Sequence, residues 1–168
     1  TGGTYLNGGT LSLLGSGAVL SNRVKQAGGT TLRLASGAGL MCKAGGRVLG
    51  GNLALDGGAV LKLDIGAKDG GGADVVPLVL DNRYASLTVA ASQANPAAIF
   101  VSVPTGVELM RRPYRLLDWK VGTTVSGLTA NAFTLSLPYY AAGYLSATSS
   151  GLDLVLTSVT KGTVIVIR

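Results

Sequence analysis

LSLLGSGAVL (Leu11–Leu20), LRLASGAGL (Leu32–Leu40) and LALDGGAVL (Leu53–Leu61) share one pattern: Leu-x-Leu, a corner of small residues, then Ala-x-Leu. Their alanines, Ala18, Ala38 and Ala59, stand 20 and 21 residues apart, and Leu20, Leu40 and Leu61 keep the same spacing. A fixed period of this length is the signature of a repeat architecture, in which each unit is too small to cover its own apolar face. Paired glycines introduce each unit: Gly8-Gly9, Gly28-Gly29 and Gly50-Gly51. Glycine tolerates positive φ, so these pairs read as sharp corners between short strands. Between corners the period is two: Leu32 and Leu34 face opposite to Thr31 and Arg33, and Leu61, Leu63 and Ile65 opposite to Val60, Lys62 and Asp64. A helix would need spacings of three and four over a dozen residues, which the glycine pairs interrupt. At most a short helical turn is expected, around Asn95–Ala98.

The expectation is therefore an all-β chain: a parallel β-helix or β-solenoid whose leucines stack between turns, followed by a β-rich cap or sandwich-like region. One domain is expected over residues 1–168, with regular repeats of about 20 residues over 1–65 and an irregular continuation over 66–168. From Gly66 the pattern changes, through the turn AKDGGGAD (Ala67–Asp74). Strands are then expected at Val75–Leu80, Leu87–Ala91, Ala98–Val103, Tyr114–Trp119, Ala132–Leu137, Leu152–Val159 and Thr163–Ile167. Pro77 marks the first of these as an edge or a bulge, because proline donates nothing to a ladder.

Composition supports such a body. Only 13% of the 168 residues are charged, against roughly 25% in an average soluble protein, while 47% are hydrophobic. Glycine supplies 26 positions, about twice its usual ~7% share, and proline only 5, which excludes collagen. The net charge of +6 is scattered singly, with Arg111-Arg112 the adjacent pair, so no basic stripe with interleaved aromatics points to nucleic acid. Sparse cations keep a very apolar chain soluble. No stretch reaches the roughly 18 apolar residues of a membrane helix, and Thr1 opens directly into the pattern without an apolar leader. Cys42 is the single cysteine, so no internal disulfide forms and a buried thiol is expected.

The chain contains no histidine, which removes Ser-His-Asp and Cys-His catalysis and the commonest general base. It has no phosphate-binding glycine loop and no zinc cluster. Eight acids remain: Asp56, Asp64, Asp69, Asp74, Asp81, Glu108, Asp118 and Asp153. Two carboxylates roughly 5–9 Å apart suffice to cleave a glycoside, and Asp64 with Asp81 is the pair that neighbouring turns would bring together. Solvated turn residues are the preferred reading of these acids. A single Asp69–Asp74 segment is a weak echo of a calcium-binding roll, which needs tandem copies, so a plain glycine loop is preferred. No catalytic, cofactor or metal site is expected.

Aromatics gather late: Tyr114, Trp119, Phe133, Tyr139, Tyr140 and Tyr144. They are expected to plug the end of a leucine-lined stack, with glycan stacking by Trp119, Tyr139, Tyr140 and Tyr144 as the alternative. Tyr139 and Tyr140 would face opposite ways if they shared a strand. Thr163, Val164, Ile165, Val166 and Ile167 have high β-propensity and no proline, the profile of a strand that pairs with an exposed edge. That strand either completes its own sheet or adds to the next copy, which would propagate a filament.

The units GGTLSLLGSGAVL and GGTTLRLASGAGL resemble the autotransporter-associated β-strand repeat of large bacterial surface proteins. PYRLLDW, GTTVSGLTANAFTLSLP and YLSATSSGLDLVLTSV resemble the segment that closes many such chains. The resemblance implies export, an extracellular or cell-surface location, and a structural or adhesive role without catalytic residues. No barrel or sorting anchor follows the last strand, so self-transport is not expected. The functional expectation is a non-enzymatic extracellular structural protein, a homo-oligomer without nucleic-acid partner or membrane insertion, assembling into a filament or surface layer. A surface adhesin that binds glycans and a polysaccharide-cleaving β-helix enzyme stand as alternatives.

Overall fold

The structure is a computed structural model that describes residues 4–6, 9–14, 19–20 and 24–160. Its strands, in chain order, begin with β1 (Thr4–Leu6), β2 (Thr10–Leu13), β3 (Val19–Leu20), β4 (Val24–Gln26), β5 (Thr31–Leu34) and β6 (Gly39–Cys42). Then follow β7 (Arg47–Leu49), β8 (Asn52–Leu55), β9 (Val60–Asp64), β10 (Leu78–Leu80), β11 (Ser86–Val89) and β12 (Ala97–Ser102). The last are β13 (Pro113–Trp119), β14 (Thr124–Ser126), β15 (Phe133–Ser136), β16 (Ala141–Ala147) and β17 (Gly151–Val159).

Successive strands are dealt in rotation to three five-stranded sheets. Sheet I has the order β2-β5-β8-β11-β14, sheet II β3-β6-β9-β12-β15, and sheet III β7-β10-β13-β17-β16. A small parallel pair, β1-β4, lies beside β7. All pairing in sheets I and II is parallel, whereas β17 runs antiparallel to both β13 and β16.

Parallel register places like residues over one another. Leu11, Leu32, Leu53, Leu87 and Val125 form one row of sheet I, and Leu13, Leu34, Leu55 and Val89 another. In sheet II the row is Leu20, Leu40, Leu61, Ile99 and Leu135, with Cys42, Leu63 and Val101 beside it. Leu49, Leu80 and Trp119 align in sheet III. These rows face inward and meet in one core, where Leu32, Leu34, Leu40, Leu53, Leu55, Leu61 and Leu63 are fully buried. Each such leucine contributes on the order of 1.5–3 kcal/mol relative to exposure.

The glycine pairs meet two different needs. Gly29 turns the chain at φ +78 before β5. Gly51 has no such φ; a Cβ there would fall 2.5 Å from the Thr30 carbonyl oxygen, so glycine admits the backbone of the preceding corner.

Three expectations are corrected. Asn95–Ala98 is not helical: Ser92 and Asn95 exchange two backbone hydrogen bonds of 3.1 Å across a tight turn, and β12 starts at Ala97. Pro96 disfavours helical φ and ψ at Asn95, which explains the difference; the helical turn among the described residues is a 3-10 turn at Ala130–Ala132. The strand expected over Val75–Leu80 is confined to Leu78–Leu80, beginning just after Pro77, whose carbonyl accepts the Arg47 N–H at 2.8 Å. Finally, of the cap or sandwich-like region expected within the one domain beyond Gly66, the sandwich is not formed: β10–β15 join the same three sheets, and only β16 and β17 break the parallel order.

Candidate functional site

The margins of the sheets are the surfaces whose backbone groups stand free to pair. Among the described residues, β2 and β3 each begin a sheet and pair on one side only. Their side chains register the same asymmetry. Leu11, Leu13 and Leu20 are half-buried, although the next members of their rows, Leu32, Leu34 and Leu40, have no exposure. Leu14, beside them, is 70% exposed.

At the opposite margin β14 and β15 end sheets I and II, with Val125 and Leu135 again half-buried. Sheet III continues past them as the β16–β17 hairpin. The inward face of that hairpin carries Leu145, Leu152, Leu154 and Leu156, all buried. Tyr114 and Trp119 on the neighbouring β13, and Phe133 on β15, are buried in the same core. The Trp119 indole Nε1 donates to the Ser149 carbonyl at 3.1 Å, and the Tyr114 hydroxyl accepts the Met110 N–H at 2.8 Å. Each ring thereby satisfies its polar end while filling the core.

This geometry divides the aromatics singled out for glycan stacking. Trp119 retains 6% exposure and presents no ring face to a sugar. Tyr139 and Tyr140 occupy a tight turn, closed by Ala141 N–H donating to the Pro138 carbonyl at 2.9 Å, rather than a strand. Their rings therefore meet edge to face at 5.3 Å, instead of pointing to opposite sides. Tyr139 is fully exposed, Tyr140 half-buried, and Tyr144 stands outward on β16. A shallow groove of about 390 Å³ runs between these two tyrosines, Val107, Leu109 and Val159. The proposed assembly strand Thr163–Ile167 lies outside the described residues.

The carboxylates are occupied in holding the fold. Asp64, at the end of β9 in sheet II, accepts the Ser102 hydroxyl at 2.5 Å, whereas Asp81, just past β10 of sheet III, pairs with Lys120 at 2.6 Å, so each carboxylate has a separate partner. Asp56 pairs with Arg33 at 2.8 Å. Arg115 bridges Asp153 and Asp118 at 2.7 and 3.2 Å. Asp69 accepts the N–H groups of Gly71 and Ala73, each at 2.9 Å, and so closes its own loop. Asp74 lies between Arg112 and Lys68, which hold its carboxyl down at about 2. Among the described residues no three metal-ligating side chains converge. Burial pushes the Cys42 thiol up to about 11, so it stays protonated at neutral pH.

One surface was not anticipated. The outward face of sheet II holds a groove of about 620 Å³, lined by Met41, Lys43, Val60, Lys62, Asp64 and Phe100. Phe100 was hidden within an expected strand, AIFVSV, that is apolar on both faces. The signal available in sequence was its position: Ile99 and Val101 point inward, so Phe100 must point out.

No family model matches the chain, and no curated protein or solved structure is significantly similar to it. No helix of the described residues is long and apolar enough to cross a membrane.

Proposed function

We propose that the three sheets wind as a parallel β-solenoid, and that the chain is an extracellular structural subunit of a bacterial surface, assembling head to tail. The observation that carries this reading is that the inward rows are half-buried at both margins. Leu11 heads the row that Val125 ends, and Leu20 heads the row that Leu135 ends. A second copy set with its β2 and β3 against β14 and β15 continues both rows and both hydrogen-bond ladders. Such a contact is heterologous and does not close on itself, so it propagates. The absence of histidine and the engagement of the seven aspartates in structural contacts favour a non-enzymatic role. The resemblance to autotransporter-associated repeats supports export and a cell-surface location.

Addition of the Thr163–Ile167 strand to a neighbouring edge is a second route to the same filament. Size-exclusion chromatography and negative-stain microscopy over a concentration series test the reading. Growing oligomers or filaments are expected; a strict monomer at high concentration overturns assembly. Deleting residues 161–168 separates the two routes, since assembly unchanged by the deletion leaves stacking of the margins alone.

A further inference from the structure

The outward side of sheet II carries three rows across its strands. One is Val60, Ala98 and Thr134; another is Met41, Lys62, Phe100 and Ser136. Asp64 and Ser102 form a third, and Lys43 follows the end of β6. Phe100 is 45% exposed in the middle of this face, between the half-buried Lys62 and the hydroxyl-bearing Ser136. An aromatic ring displayed there gains nothing from the core, and it lines the groove.

We infer that this groove binds an acidic polysaccharide, with the Phe100 ring as the stacking platform and Lys43 and Lys62 as the carboxylate contacts. A pyranose ring offers an apolar C–H face that packs on an aromatic ring, and uronate carboxylates pair with ammonium groups. Ser136, next to Phe100 in the same row, is exposed and offers a hydroxyl for the sugar's own. Strands repeat every ~4.8 Å across the sheet, a length comparable with one sugar unit, so a glycan crossing the strands meets an equivalent position at each one. The Asp64 carboxylate, engaged by Ser102, edges the groove and repels a carboxylate placed beside it, which assigns the acidic groups to the Lys62 and Lys43 side. A nucleic acid fits less well, because it carries a charge at every phosphate and uses several stacking rings, whereas this face has one ring and two cations. The residues that line the groove sit on or just after β6, β9 and β12, between the two marginal strands of sheet II, so the inference is independent of assembly.

Affinity electrophoresis through gels containing polygalacturonate, alginate or a neutral soluble glucan tests it. Retardation by the uronate polymers but not by the glucan is expected, declining as salt is raised. Phe100→Ala should weaken binding roughly tenfold, and the double change Lys43→Gln with Lys62→Gln at least as much. Thr88→Ala, outward on sheet I, should leave binding unchanged. Circular dichroism establishes that each variant is folded, and the lysine pair serves as the test if Phe100→Ala is not. No retardation by either uronate polymer overturns the inference. So does equal retardation of the folded variants, or preferential binding of single-stranded oligothymidylate. The same samples run on size exclusion report assembly separately.

Discussion

At one margin of the molecule Leu11, Leu13 and Leu20 stay half-buried beside unpaired parallel edges, whereas at the other Leu152, Leu154 and Leu156 are buried on the inward face of a hairpin. Both margins face the same physical difficulty. A strand in a parallel stack draws its ladder and its side-chain cover from the strands before and after it, so the first and last lack one side of each. At the hairpin end, sheet III reverses direction and gains two more strands, whose leucines join the core that holds Tyr114, Trp119 and Phe133, while β14 and β15 end sheets I and II. At the other end, the described residues contain no such device. Stability is therefore expected to be unequal along the stack, with the hairpin end firm and the β2–β3 end dependent on what meets it.

The largest effect that would sharpen this contrast is expected from Leu154→Ala, which empties a fully buried position on the inward face of the hairpin. It should cost about 2–5 kcal/mol in urea unfolding. Leu13→Ala at the open margin should cost clearly less, about 1 kcal/mol, because its site is already half-exposed. Equal losses would break the comparison. Trp119→Phe keeps most of the ring but removes the hydrogen bond to Ser149, and about 1 kcal/mol of stability should go with it, read from the same unfolding curves. The smallest effect belongs to Asp74, between Arg112 and Lys68 on the loops that separate the strands. Its pairing lowers its pKa to about 2, below the ordinary 3.8. The stabilisation is thus fully present above pH ~4 and lost as pH falls through about 2. Because the pair is partly exposed, under ~1 kcal/mol is at stake, visible as faster amide exchange around 67–75 in acid. Asp74→Asn should abolish that pH dependence.

The rows of sheets I and II were legible in sequence as far as Leu61, because leucines 20 or 21 residues apart fall on the same inward position of consecutive strands. After Asp64 the regularity vanishes from the sequence but not from the sheets: Leu87 still covers Leu53, and Ile99 still covers Leu61. A sheet counts only residues in its strands, so the loops at 65–77 and 103–112 lengthen the spacing without disturbing the register. The hairpin was half visible. β17 is a long alternating run, but AAGYLSA in β16 carries alanine and glycine, which have weak strand preference, and it is a strand because β17 pairs with it. The glycan residues divided for a related reason. Composition places aromatics late in the chain, yet it is register that puts Trp119 inward on the Leu80 row, whereas Phe100 faces out by its alternation with Ile99 and Val101.

The hairpin carries one more consequence. Two successive reversals cancel, so β16, the last strand of sheet III, points the same way as β13. All three sheets thus leave the molecule with the directionality they had on entering it. In the head-to-tail assembly proposed above, the fibre has a barbed sense, and its two chemically unlike tips are expected to elongate at different rates.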